Sequence, residues 1–107
     1  MVTKITSTSV RLDKNTPWYI NTPEGSVNAD LQNVIQITEQ LSASRVISVE
    51  VTAPDEFTRI NVTTIHDLPA YLAAFNAQEL PAVNLPEIST YNAANNITVQ
   101  VVTEEIP

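Results

Sequence analysis

The sequence predicts an α+β fold in which an antiparallel sheet carries two helices on one face. Three observations lead there. Residues 45–65 read as two strands joined by a tight turn. Residues 28–43 and 67–75 change to the helical spacing of apolar side chains. From Trp18 onward the elements run strand, helix, strand, strand, helix, strand, which is two split β-α-β units.

Residues 2–12, VTKITSTSVRL, are rich in Thr, Val and Ile and favour a strand. Val10 and Leu12 share a face with Lys4 and Thr6, while Ile5 falls on the other. So weak an alternation suits an extra edge strand or arm. On this reading residues 1–107 are one domain, with residues 1–16 as the arm and 17–104 as the core. The arm would be able to add to a neighbour's sheet edge, and its removal would leave the monomer folded. Asp13, Lys14, Asn15, Thr16 and Pro17 form a turn cluster. Trp18, Tyr19 and Ile20 follow as a short strand, and residues 21–26 break the chain around its only glycine, Gly25.

Leu31, Val34, Ile35, Thr38 and Leu41 form one apolar stripe, with Asn28 or Asp30 as N-cap and Ile37 off the stripe. The β-branched residues among them leave strand as a competitor. For the hairpin, a turn at Ala53-Pro54-Asp55-Glu56 makes Thr52 face Phe57. Val51 then faces Thr58, Val49 faces Ile60 and Ile47 faces Val62, all toward the helices. The other face carries Ser48, Glu50, Arg59, Asn61 and Thr63, with Glu50 opposite Arg59. Phe57 and Ile65 stand at the strand ends of that face.

Asp67 is a good cap for the second helix, Pro69 fits its first turn, and Leu68, Tyr71, Leu72 and Phe75 make its buried stripe. Pro81 and Pro86 keep the next segment irregular. Residues 91–96 suit a helical turn closed by asparagine. The last strand spans residues 97–103, with Ile97, Val99 and Val101 inward, and residues 104–107 form a frayed tail.

Composition narrows the function. A net charge of −7 in 107 residues, with only five Lys and Arg, argues against nucleic acid and anionic membranes as partners. A single glycine rules out glycine-rich phosphate loops, and the lack of cysteine rules out disulfides and thiolate metal sites. No apolar run approaches the ~20 residues that span a bilayer. The N-terminus lacks the apolar core of a secretory signal, so the expected location is cytoplasmic or virion-associated.

The order of elements is that of the ferredoxin-like sandwich. The stretch FTRINVTTIHDLPAYLAAF, followed by YNAANNIT and a final strand, resembles the dimeric α+β barrel superfamily over residues 45–103. That group includes monooxygenases related to antibiotic biosynthesis and small haem-degrading enzymes. The same segment, in a Thr- and Asn-rich, cysteine-free chain, resembles small uncharacterised proteins of tailed bacteriophages. The barrel resemblance implies that the sheet face away from the helices packs against a second subunit and can enclose substrate. No residue here matches that superfamily's motifs position by position.

The polar sheet face therefore has two readings. It is an ordinary solvated face, or it is a dimer interface or pocket lined by Ser48, Glu50, Phe57, Arg59, Asn61 and Thr63. His66, the only histidine, is a general-base candidate beside Asp67, but Asp67 is better used as a helix cap. One histidine without cysteine makes no ordinary zinc site. Trp18 is a stacking candidate for a ligand and also a natural core residue. No nucleophile motif or cofactor signature is present. The reading that follows is a non-enzymatic domain acting through self-association or docking, as a homo-oligomer in a phage structural or accessory role. The alternative is a monooxygenase-like enzyme or small-ligand binder with its site on the open face.

Overall fold

β1 (Val2–Arg11) runs through the middle of the sheet, hydrogen-bonded on both sides. In the computed structural model, which describes residues 2–107, four antiparallel strands are ordered β2-β3-β1-β4. The others are β2 (Ile47–Asp55), β3 (Thr58–Ile65) and β4 (Ile97–Ile106). Four helices complete the α+β fold: the single turn α1 (Pro23–Ser26), then α2 (Ala29–Ala43), α3 (Leu68–Ala74) and α4 (Pro86–Ala94). None among the described residues is long and apolar enough to cross a membrane.

The N-terminal segment is a strand, as its sequence favours, but an inner one rather than an edge strand or arm. Thr6 pairs with Val62 on one side and Val102 on the other, and the ladder continues along the strand. Its Thr- and Ser-rich sequence hid this, because short hydroxyl side chains fit a central strand without strong alternation. The expected strand at Trp18–Ile20 is instead a 3-10 turn, Tyr19–Asn21. The Tyr19 carbonyl accepts from the Thr22 backbone N at 3.0 Å and from Thr22 Oγ1 at 2.6 Å, which winds the chain up. Thr22 Oγ1 then caps α1 by accepting from Gly25 N.

α2 and α3 form where expected. Asn28 accepts from Leu31 N at 2.9 Å, and Asp67 accepts from Ala70 N at 3.1 Å, each satisfying an orphan donor of the first turn. The α2 residues Leu31 and Leu41 are buried, and Ile37, expected off the stripe, packs against the core. Leu41, Ile47, Ile65 and Tyr71 form the central cluster, with Ile5, Leu68, Leu72 and Phe75 packed around it. The turn closed by asparagine grows into nine-residue α4, because Pro86 sits at its first turn rather than blocking it. Asn96 ends it with φ 58°, and Arg45 and Asn76 end α2 and α3 likewise, at 62° and 55°.

The hairpin register differs from expectation by three residues. Ile47 pairs with Ile65, Val49 with Thr63, Val51 with Asn61 and Thr52 with Ile60. The chain does not turn at Pro54, because β2 is an edge strand, where a missing donor is tolerated. A bulge between Thr52 and Asp55 adjusts the ladder. The turn comes at Glu56-Phe57, where Asp55 Oδ1 accepts from Phe57 N at 2.8 Å. Because three is odd, every β3 side chain changes face. Nor is the C-terminal segment frayed: Glu104, Glu105 and Ile106 pair with Lys4, Thr3 and Val2.

Two predictions follow from local geometry. A Cβ on Gly25 would lie 1.9 Å from the Tyr19 carbonyl oxygen. Gly25→Ala should therefore cost about 1–3 kcal/mol in urea unfolding, as backbone must move to admit it. Arg45 holds a left-handed conformation that glycine adopts without penalty. Arg45→Gly should raise stability by about 0.5–1 kcal/mol in the same assay.

Candidate functional site

The observed register defines two sheet faces with different contents. One carries Ile47, Val49 and Val51 on β2, Arg59, Asn61, Thr63 and Ile65 on β3, and Ile97, Val99 and Val101 on β4. Its β1 residues are Thr3, Ile5, Ser7, Ser9 and Arg11. The second carries Ser48 and Glu50 on β2, Ile60 and Val62 on β3, Lys4, Thr6 and Thr8 on β1, and Gln100 and Val102 on β4.

The anticipated polar constellation is therefore split. Arg59, Asn61 and Thr63 come together on the Ile47 face, where Thr63 Oγ1 reaches Asn61 Oδ1 at 3.4 Å. Ser48 and Glu50 lie on the opposite face, and Glu50 pairs with Val62 instead of Arg59. Phe57 sits in the hairpin turn, exposed, its carbonyl accepting from Arg11 N. Ile60 and Val62, expected inward, belong to the Glu50 face and are half-buried.

Trp18 and Arg59 lie around the same cavities at the Ile47 face. The two line a cavity of about 160 Å³ whose apolar walls come from Ile20, Leu31, Ile88 and Ile97. Ser9 and Asn92 supply the remaining polar edge beside Tyr19. A shallower hollow of about 380 Å³ shares Trp18, Ile20 and Arg59 and extends over Val51. A second cation stands against the indole itself. Arg11 stacks over the Trp18 ring at 4.6 Å from its centroid. Its guanidinium is already engaged, donating from Nε and Nη2 to the Glu56 carbonyl at 2.9 and 2.7 Å and from Nη1 to the Thr16 carbonyl at 2.7 Å.

Arg59 is different. Half-buried, it has no hydrogen bond or ion pair among the described residues, where the one salt bridge joins Lys14 and Glu56 at 3.7 Å. The sequence showed Arg59 but not its surroundings, since Ser9, Ile97 and Leu31 reach it only through the tertiary fold. Arg11 was missed as well, although its place at the end of a strand before a turn cluster was visible.

His66 meets Ser48 rather than Asp67. Its Nε2 lies 2.9 Å from Ser48 Oγ, at the exposed edge of the sheet. Asp67 is occupied as the α3 cap, and neither Ser48 nor His66 lines any of the described cavities. Among the described residues no carboxylate accepts from the His66 ring, so the pair lacks the third member of a triad. No group of three or more His, Asp and Glu side chains among the described residues is arranged to hold a metal. Burial raises the Tyr71 phenol above the ordinary tyrosine value, and this residue belongs to the core.

The two arginines should behave oppositely when removed. Arg11→Ala, which loses charge-assisted bonds to two carbonyls and the indole contact, should cost about 1–2 kcal/mol in urea unfolding. Arg59→Met, which loses no partner and removes a half-buried charge, should leave stability unchanged or raise it in the same assay.

No protein-family model, curated protein or solved structure matches the chain, so the resemblances seen over residues 45–103 stand on their sequence pattern alone.

Proposed function

We propose that this protein is a self-associating domain of the ferredoxin-like type, working without catalysis, and that it joins a second copy of itself along β4. The fold-type reading is supported by two crossovers, β1-α2-β2 and β3-α3-α4-β4, in a sheet ordered β2-β3-β1-β4. Ile5, Ile47 and Ile65 all belong to the face that meets α2 and α3. The helices cover only part of that face, since Val49, Val51, Val99 and Val101 on it stay exposed.

One observation carries the assembly reading. β4 is a ten-residue edge strand without proline or bulge, and Val99, Val101, Val102 and Ile106 on it are 46, 59, 42 and 37% exposed. An edge that is long, unpaired and apolar invites another strand, and natural monomers blunt such edges. The other edge is blunted. β2 contains Pro54 and a bulge between Thr52 and Asp55. Antiparallel pairing of β4 with β4 across a two-fold axis would satisfy the main-chain groups of both edges and give one eight-stranded sheet.

Light-scattering mass measurement should show a concentration-dependent dimer. Val101→Lys, a charge placed on the edge, should shift it to monomer, while Thr8→Lys, in the middle of the Glu50 face, should leave it dimeric. A monomer at all concentrations defeats the proposal. A dimer lost with Thr8→Lys but kept with Val101→Lys would instead mean that subunits pack face to face.

A further inference from the structure

We infer that the cavity between the 3-10 turn and the sheet binds a small monocarboxylate with an apolar body, held by Arg59 and covered by Trp18. The inference rests on a mismatch of charge and surroundings. Arg59 projects from a strand into a space walled by Ile20, Leu31, Ile88 and Ile97 and by the indole. A half-buried guanidinium among apolar walls carries a desolvation cost that a paired anion offsets. Among the described residues no carboxylate comes within ion-pair distance of it. In a chain of net charge −7, twelve acidic residues were available for that role. An anion that pairs with Arg59 would therefore come from outside the chain.

The walls define the rest of the ligand. A guanidinium fork matches a carboxylate with two parallel hydrogen bonds. Ser9 and Asn92 are the other polar side chains at the rim, apart from the Tyr19 hydroxyl, which already accepts from Asn28 Nδ2 at 3.0 Å. Both are short and neutral, which suits one anionic group better than a dianionic phosphate. The cavity of about 160 Å³ lies below the range of about 300–1,000 Å³ that accommodates drug-sized molecules. A short aliphatic or single-ring acid fits, with its body against the isoleucines and its outer side toward Trp18. Arg11 does not compete for the ligand, because it does not line this cavity and three of its N–H groups are held by the Glu56 and Thr16 carbonyls.

Trp18 is the only tryptophan, so intrinsic fluorescence reports on this cavity directly. The full-length protein would be titrated with butyrate, hexanoate, benzoate and phenylacetate, each against its uncharged amide, with fluorescence and thermal midpoint both recorded. At least one acid should give a saturable fluorescence change with half-saturation at about 1 mM or below, a range open to ligands of this size. At about ten times that concentration it should raise the midpoint by roughly 6 °C, while the amide does neither. Arg59→Met should weaken binding at least about tenfold, Arg59→Lys should retain part of it, and Lys4→Gln should leave it unchanged. Equal responses to acid and amide, binding that survives Arg59→Met, or no saturable change by either readout across the series would each overturn the inference.

Discussion

Everything in this molecule depends on the two-sided pairing of β1. From Thr3 to Val10 each residue has a partner on both β3 and β4, so the strand closest to the N-terminus joins the hairpin to the strand closest to the C-terminus. Among the described residues no other strand pairs with β4. The β1–β4 ladder joins residues nearly a full chain length apart, and the loop-closure entropy of that contact must be met before it contributes. Local elements can form earlier: the β2–β3 hairpin has its own Asx-capped turn, and α2 and α3 have their own caps. The sheet is complete only when both ends of the chain have come together. This is why the short hydroxyl residues of β1 matter. Thr3 is buried beside Ile65, in a row where a larger side chain would meet the core cluster.

The parts legible in the sequence were those decided within a few residues. Asn28 and Asp67 cap helices because a side-chain acceptor meets a donor three residues on, and the apolar spacing behind each cap needs no tertiary information. The parts that were not legible were decided by position in the sheet. Proline before aspartate favours a turn in isolation, yet at an edge the strand passes through Ala53-Pro54 and turns later. Thr- and Ser-rich strands look peripheral until both their neighbours are known. Trp18-Tyr19-Ile20 has strand-forming side chains, but the Tyr19 carbonyl is claimed by Thr22 twice over and the chain coils. Charged residues at 104 and 105 suggested a loose end, although cross-strand Lys4 faces Glu104 in the ladder.

The three-residue slip in the hairpin has a chemical consequence. Had Arg59 faced Glu50 on the wet side of the sheet, it would have been one exposed ion pair, worth little. With an odd slip it moves to the face shared with Ile47, loses that partner and lies under the segment from Trp18 to Ile20. The same slip puts Ile60 and Val62 beside Glu50, so that the Glu50 face becomes part apolar and part hydroxyl. A single turn position thus decides both where the unpaired cation sits and how apolar the Glu50 face is. Neither property can be read from the composition of the strands alone.

In the proposed assembly the charges of β4 choose among registers that shape would leave open. Its sole charged residues, Glu104 and Glu105, are neighbours at its C-terminal end, and Ile97 to Thr103 is uncharged. When two such strands meet antiparallel about a two-fold axis, a residue at the centre faces its own copy. A centre at Gln100 sets Val99 against Val101 twice, and a centre at Val101 sets Val99 against Thr103, with the acidic pairs far apart in both. Each step toward the C-terminus brings four carboxylates closer together, and a centre at Glu104 would oppose like charges directly, which destabilises a cross-strand pair. The acidic end therefore acts as a stop. It leaves the apolar middle of the edge free to pair and penalises the slips that would turn a closed dimer into an open, staggered stack.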